Sequence, residues 1–274
     1  MAFSYKVIFP ILFIICFTPS LIIINIYYNN IRGDIVQKLL SKMRQAINDF
    51  NLIEDGDKIA VGLSGGKDSL TLLHLLNLYR KFSPEKFELI AITLNPGGVD
   101  NSPLHSLCKE LDVPFYEIQT DIKEIVFDLK KEKNPCSLCA KLRRGILNNT
   151  AEELGCNKVA LGHHKDDAIE TLILSLSYEG RINCFSPKTF MDKNTITLIR
   201  PMVYISEGSI KNIAKKYNLP IIKNPCPADG KTKRQDVKEL INELNERIPG
   251  FKRNIFGALN NPEQLFIWNK DLIK

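Results

Sequence analysis

The sequence predicts an α/β fold, a parallel sheet with helices on both faces, and three observations support that prediction. Short apolar strands alternate with helical segments between residues 58 and 178. Segments rich in glycine, cysteine and acidic residues fall where the predicted strands end, which is where ligands bind in such sheets. The 274 residues are 44% hydrophobic and 25% charged, a globular composition that excludes disordered and collagen-like proteins.

The elements follow in chain order. Asp34 to Phe50 predicts an amphipathic helix, because its apolar residues recur at helical spacing. Predicted strands cover residues 58–63, 87–94, 114–118 and 157–161, and predicted helices cover 67–79, 102–111, 136–154 and 165–178. After Pro201 the strands thin out, and helices bearing Lys and Arg are predicted at 207–217, 233–246 and 250–259. We therefore expect an apolar segment at 1–33, a sheet domain at 34–200 and a basic C-terminal part at 201–274.

The apolar segment Val7 to Tyr28 has 22 residues without a charge, which is long enough to cross a bilayer. More basic residues follow it than precede it, so the positive-inside rule would keep the rest of the chain in the cytoplasm. Two interpretations stay open: a membrane anchor, or a start codon placed too early. We expect a cytoplasmic protein, tethered to the inner face of a membrane only if residues 7–28 are translated and inserted.

The charge distribution favours a polyanionic partner. The chain carries 37 Lys and Arg against 31 Asp and Glu, a net charge of +6. Residues 201–260 alone hold eleven Lys and Arg against six Asp and Glu. A solvated basic face is the alternative interpretation.

A glycine-rich turn joins the first predicted strand to its helix and suits a phosphate. It lacks the spacing of a Walker A loop, because Val61 and Asp68 occupy the positions of the required Gly and Ser or Thr. The turn resembles the SGGxDS signature of the PP-loop ATP pyrophosphatases, and the residues that match it are Ser64, Gly65, Gly66, Lys67, Asp68 and Ser69. The resemblance implies that the loop binds the β,γ-pyrophosphate of ATP and leaves the α-phosphorus open to attack. Lys67 and Mg²⁺ would then offset the charge of the departing pyrophosphate.

A second motif, GHHKDDAIET, follows the strand predicted at 157–161. Its acids Asp166 and Asp167 open the next helix, where they suit Mg²⁺ or simply cap the helix. The motif resembles a segment of the tRNA 2-thiocytidine synthetases that borders the ATP site. That resemblance implies that Gly162, His163 and Asp167 contact the nucleotide.

Cys136 and Cys139 open a predicted helix close to three basic residues, a setting that favours reactive or metal-binding thiolates. Spacing alone leaves redox, zinc and iron–sulfur chemistry open. Cys226, between two prolines, has a comparable loop context and makes a third candidate ligand, one short of the four that zinc prefers. We expect the remaining cysteines to be small buried apolar residues, namely Cys16, Cys108, Cys156 and Cys184.

The cysteines and both motifs, together over residues 35 to 258, resemble the tRNA 2-thiocytidine synthetases, the TtcA family, in its short branch. In that family the three matching cysteines, here Cys136, Cys139 and Cys226, hold a [4Fe–4S] cluster with one iron open. The resemblance implies that ATP adenylates the C2 oxygen of cytosine 32 in tRNA and that sulfur replaces it. It makes Lys67, Asp68 and the three cysteines the expected catalytic residues. The long branch has a second C-x-x-C at the third cysteine, whereas this chain reads Cys226-Pro-Ala-Asp.

The expected partners are tRNA, whose phosphates would contact Lys231, Lys233 and Arg234, and a sulfur donor such as a cysteine desulfurase. The sequence is compatible with a homo-oligomer. One alternative is a PP-loop enzyme that uses a cysteine persulfide or disulfide, or that acts on another base. An alternative of a different class is a membrane-tethered protein that binds a nucleotide without turnover.

Overall fold

The structure is a computed structural model that describes residues 34–129, 135–191, 195–222, 232–261 and 263. The apolar segment 1–33, Lys231 and Cys226 lie outside the described residues. The described strands are β1 (Lys58–Gly62), β2 (Glu88–Asn95), β3 (Phe115–Gln119), β4 (Lys158–Ala160), β5 (Lys188–Phe190) and β6 (Thr197–Ile199). The described helices are α1 (Asp34–Phe50), α2 (Lys67–Tyr79), α3 (Ser102–Glu110), α4 (Pro135–Glu153), α5 (Lys165–Leu174), α6 (Glu207–Lys216), α7 (Lys233–Arg247) and α8 (Phe251–Leu259).

The strands of the described chain form one sheet in the order β3-β2-β1-β4-β6-β5. All neighbouring pairs are parallel except β5 with β6. β1 lies in the middle, with Ala60 in register with Ile90 on one side and Val159 on the other. The order reverses direction between β1 and β4, which makes that point the expected place for a ligand.

Helices cover both faces of the sheet, as side-chain alternation along β1 shows. Ile59 and Val61 belong to a core that includes apolar residues of α1, α2 and α6. Ala60, between them, belongs to a second core with Leu147 and Ala151 of α4. A strand buried on both faces reads as a continuous apolar run, which is why KIAVG is recognisable in the sequence. The predicted fold class is confirmed.

Most element bounds differ from the prediction by one or two residues. The helix predicted at 165–178 ends at Leu174, and the chain continues as a π-helical turn over Ser175–Glu179 that Gly180 closes with a positive φ of 63°. Strands β5 and β6 were not predicted, because each has only three residues and no helix separates them, whereas the equally short β4 lies between two predicted helices.

The larger core extends across residue 200, since Ile199, Met202 and Ile210 all belong to it. The domain boundary near 200 stays a prediction. Within the described residues, none of the helices combines the length and the apolar character that a membrane crossing requires.

Candidate active site

A cavity of about 710 Å³ opens at the carboxyl ends of the parallel strands. It lies at the β1–β4 reversal, and helices α2, α4 and α5 begin beside it. Several residues predicted from the sequence line it together, namely Ser64, Asp68, Ser69, Cys136, Cys139, Gly162, His163 and Asp167. Residues not predicted as site residues also line it, including Arg143, Arg144, Asn148, Phe185 and Arg200.

Hydrogen bonds within the glycine-rich turn after β1 fix the conformation of its backbone. The Ser69 hydroxyl donates to the Gly66 carbonyl at 3.1 Å and accepts from the Ser64 backbone N–H at 3.1 Å. Gly65 has a φ of 76°, and a Cβ there would lie 3.0 Å from the Cβ of Ile222. No side chain caps the start of α2, so its first amide N–H groups are available to an anion.

Lys67 is held by two carboxylates beside this turn. Its Nζ lies 3.0 Å from Asp68 Oδ2 and 3.3 Å from Glu207 Oε1. Burial alone would lower the pKa of Lys67, but Asp68 and Glu207 outweigh burial and raise it. Burial likewise opposes ionisation of Glu207, whereas Lys238, Lys67 and Lys211 lower its pKa to about 2. Lys67 is therefore a fixed cation next to the anion-binding turn.

The turn after β4 touches the turn after β1. A Cβ added to Gly162 would lie 3.0 Å from the backbone C of Asp68 and 3.0 Å from the backbone N of Ser69. His164 caps α5: its Nδ1 accepts from the Asp167 N–H at 3.4 Å, and Asp167 Oδ2 accepts from the His164 N–H at 2.9 Å. Asp167 thus caps the helix and also lines the cavity.

The two adjacent histidines point in different directions, as expected for neighbours at a strand end. His164 lies against Asp68, with its Nε2 3.6 Å from Asp68 Oδ1. His163 lines the cavity and packs against Phe185, with ring centroids 5.0 Å apart. Burial first, and then the charge of Arg200, lower the pKa of His163 to about 4. His163 is therefore neutral at physiological pH.

Four cavity-lining side chains have a buried polar atom without a hydrogen-bond partner among the described residues. These atoms are Asp68 Oδ1, Asn148 Oδ1, His163 Nδ1 and Arg200 Nε. Buried polar groups are ordinarily paired, so unpaired ones gathered at one cavity indicate a polar ligand. Asp68 Oδ1 is the acceptor that a Mg²⁺ ion beside the phosphates would use.

The C-x-x-C pair stands at the start of α4, on the cavity wall. Cys136 is exposed and Cys139 is half-buried, and a separation of three residues puts both on the same face of the helix. The other described cysteines differ from this pair. Burial raises the pKa of Cys108 to about 12 and that of Cys156 to about 11, and it also raises the pKa of Cys184, which is half-buried.

The start of α7 meets the cavity through Arg234, which does not stand free for a phosphate. Its Nε lies 3.1 Å from Glu170 Oε2, and its Nη2 lies 3.5 Å from Asp167 Oδ1. Lys233 lies over the ring of Tyr178 at 4.4 Å. Among the described residues no group of three His, Cys, Asp or Glu side chains is placed to hold a metal ion. Cys226, the predicted third thiolate, lies outside the described residues.

The profile of the PP-loop domain family matches residues 36–244. A tRNA-cytidine(32) 2-sulfurtransferase of Syntrophotalea carbinolica is 43% identical over 231 residues, which cover 82% of this chain and 88% of the relative. The same-named protein of Geobacter sulfurreducens is 37% identical over 251 residues, 90% of this chain and 96% of the relative. The chain belongs to the tRNA-cytidine(32) 2-sulfurtransferase family of PP-loop proteins. The family resemblance of both motifs is thereby confirmed.

The fold of this chain is similar to that of a solved tRNA thiolase structure. The U34-tRNA thiolase NcsA from Methanococcus maripaludis, with its [4Fe–4S] cluster, superposes with a TM-score of 0.68 at 27% identity. The alignment covers 86% of this chain and 81% of that protein. The fold of this sulfurtransferase family member is therefore shared with a tRNA thiolase whose structure contains a [4Fe–4S] cluster.

Sequence reasoning did not assign a site role to Asn148, Phe185 or Arg200. Asn148 sits in the middle of a long helix, and Phe185 and Arg200 flank the short strands β5 and β6. The sequence does contain one signal for Arg200. It directly follows an apolar strand, as the predicted site residues after β1 and β4 do.

Proposed function

We propose that this protein adenylates a cytidine of tRNA, position 32 by its family, with ATP and replaces the C2 oxygen by sulfur. One observation carries the proposal: a single cavity contains both the anion-binding turn of a PP-loop and the two thiols of the C-x-x-C pair. The C2 oxygen has to attack the α-phosphorus of ATP, with pyrophosphate leaving, and sulfur then has to attack C2, with AMP leaving, so both reactions take place at one position of the base. A shared cavity meets that requirement.

The chain's own residues account for nucleotide activation. The amide N–H groups at the start of α2, with Ser64 and Ser69, would bind the β,γ-pyrophosphate and leave the α-phosphorus exposed. Gly65 and Gly66 let the backbone approach the phosphates closely. Lys67 would offset the charge that develops on the departing pyrophosphate, and Mg²⁺ bound through Asp68 Oδ1 would add to that effect.

The second turn would border the nucleotide from the other side. Gly162 allows this turn to contact the backbone of Asp68 and Ser69, so both turns face one ligand. His163 and Asp167 line the same wall and are proposed nucleotide contacts.

The described thiols fit two of the three ligands of a cluster. Cys136 and Cys139 lie on one face of α4 and line the cavity. The buried thiols of Cys108 and Cys156 do not line it. When bound by three thiolates, a [4Fe–4S] cluster offers one iron with an open position for sulfur.

Chain length permits Cys226 to be the third ligand. The Ile222 N–H donates to the Gly65 carbonyl at 2.9 Å, which fixes residue 222 beside the phosphate turn. Cys226 is four residue steps further along the chain, a reach of at most about 14 Å. We propose Cys226 as the third thiolate on this ground and on the family pattern.

The proposal also covers the sulfur donor and the cellular compartment in which the enzyme acts. We propose a donor such as a cysteine desulfurase, whose persulfide sulfur has to gain two electrons from a thiol reductant before it can displace AMP from C2. We also propose that the enzyme acts in the cytoplasm, where its tRNA substrate is.

Nucleoside mass spectrometry of tRNA tests the reaction. Cells that lack the gene should lose 2-thiocytidine, and a copy of the wild-type gene should restore it. An unchanged 2-thiocytidine content with loss of another thiolated nucleoside would move the activity to another base.

Iron and acid-labile sulfide analysis tests the cluster. After anaerobic reconstitution, Cys136→Ala, Cys139→Ala and Cys226→Ala should each lose the iron and the brown colour. Cys108→Ala and Cys156→Ala are matched controls, because both thiols are buried away from the cavity, and they should keep both. Thiolation by an iron-free enzyme with an intact C-x-x-C pair would favour the persulfide or disulfide alternative.

A further inference from the structure

Arg200 is a buried cation on the cavity wall, directly after β6. Its exposed fraction is 7%. Burial first, and then the nearby Arg144, lower the pKa of Arg200 to about 10, so it still carries its charge at neutral pH. No carboxylate of the described chain lies within ion-pair distance of it. A buried charge is usually paired, because burying it alone is unfavourable.

The contacts of Arg200 hold the group in place but leave part of it without a partner. Its Nη1 donates to the Ser186 carbonyl and, at 3.1 Å, to Thr189 Oγ1. Its Cζ lies 5.1 Å from the centre of the Phe185 ring. Its Nε is buried and has no acceptor among the described residues. The guanidinium is therefore held in one orientation at the cavity wall, and its Nε–H has no acceptor within the described chain.

Arg200 lies at a different strand end from the glycine-rich turn that is proposed to bind the nucleotide. That turn follows β1, whereas Arg200 follows β6, and β4 lies between the two strands. The β6 side of the cavity is thus available to the second substrate. Phe185 lines this side with an aromatic ring, which suits the face of a planar base.

We propose that the guanidinium of Arg200 donates a hydrogen bond to N3 of the target cytosine, in a base subsite that Phe185 completes. Cytosine presents an acceptor at N3, whereas uracil presents an N–H donor there, which would oppose the Arg200 donor. A contact at N3 also leaves the C2 oxygen free to attack the α-phosphorus. Arg200 would then position the base and select cytosine. This inference rests on the proposed function and adds the residue that reads the base.

The test measures binding of anticodon stem-loops to the full-length reconstituted enzyme with a non-hydrolysable ATP analogue, by fluorescence anisotropy. The stem-loops carry cytidine, uridine or 3-deazacytidine at position 32; the last replaces N3 by a C–H group. We expect the wild type to bind the cytidine stem-loop about 10- to 100-fold more tightly than the other two, the range for a hydrogen bond from a charged donor. Arg200→Met should bind all three alike.

Two controls separate base recognition from a structural role. Arg181→Met removes an exposed arginine outside the cavity, and any loss it causes should be equal for the three stem-loops. Arg200→Lys keeps the positive charge, and its melting temperature together with that of Arg200→Met reports on folding. The 3-deazacytidine arm needs no variant, so it applies even if the arginine variants unfold.

The outcomes are distinguishable. Equal wild-type binding of cytidine and 3-deazacytidine would overturn the role of N3, as would a folded Arg200→Met that keeps the wild-type preference. A wild type that also fails to prefer cytidine over uridine, in an enzyme that forms no 2-thiocytidine, would instead count against the proposed function.

Discussion

The substitution Gly162→Ala tests whether the two turns at the cavity depend on their close contact. The added Cβ would lie 3.0 Å from the backbone of Asp68 and Ser69, whereas an ordinary contact begins at about 3.4 Å. Backbone cannot rotate away as a flexible side chain can. The start of α2 therefore has to move by about 0.4 Å, or the turn after β4 has to move by the same amount.

Two magnitudes follow from that displacement. Overpacking costs about 1–3 kcal/mol, and the lower entropy of the unfolded alanine chain offsets about 0.4–1 kcal/mol of it. The net loss of about 0.5–2 kcal/mol corresponds to a melting temperature lower by about 1–8 °C for a chain of this size. A misplacement of 1 Å costs about 100-fold in rate, so 0.4 Å should slow tRNA-dependent pyrophosphate release by about 6-fold.

Thermal unfolding and pyrophosphate release measured on the same preparation check both numbers. Gly257→Ala is the control, because a Cβ at Gly257 in α8 meets nothing within 4 Å. It should release pyrophosphate at the wild-type rate and melt at or slightly above the wild-type temperature. A Gly162→Ala enzyme with wild-type melting and wild-type rate would refute the claim that the two turns are in tight contact.

Four further outcomes are expected. Asp68→Ala should abolish tRNA-dependent pyrophosphate release while iron content stays at the wild-type level, since the turn and the thiols lie on different elements; loss of the brown colour would contradict this. Lys158→Met leaves the buried Asp57 carboxylate without the ammonium group that lies 2.7 Å from it, so urea unfolding should show a free energy of unfolding lower by about 3–5 kcal/mol. Glu207→Gln should lower the unfolding free energy by about 1–2 kcal/mol at pH 7, and the difference from wild type should vanish as the pH falls from 4.5, the usual pKa, to about 2, the folded one. A chain without residues 1–33 should still bind ATP, because the described core begins at Val36; aggregation of that chain would contradict this.

The elements that surround the cavity could be predicted because their signals are local. The strand KIAVG is apolar after Lys58, the glycines of the following turn interrupt the strand pattern, and the helix that begins at Lys67 is rich in leucine. The C-x-x-C pair and the GHHKDD motif are likewise continuous in sequence. Parallel strands place such turns at one edge, so their meeting at the cavity follows from the fold class.

The Arg200 subsite could not be predicted in the same way. Arg200 follows a strand of only three residues, Phe185 lies in an irregular segment, and no sequence spacing connects the two. Arg200 matters because its Nε is buried without a partner, and burial of one atom is a property of the packed chain. The pairing of Arg234 with Glu170 also depends on contact between α5 and α7, which the sequence does not reveal.

The helices that begin at the cavity have an electrical consequence. In α2 and α5 the peptide dipoles align along each axis and leave about half a positive charge at each starting end, whereas α4 lines the cavity along its length. Together the two helix starts amount to about one positive charge at the cavity, and none of it comes from a side chain. This part of the attraction for phosphate has no proton to lose, so it should persist at pH values where lysines have been neutralised. Salt rather than pH is the variable that should weaken it.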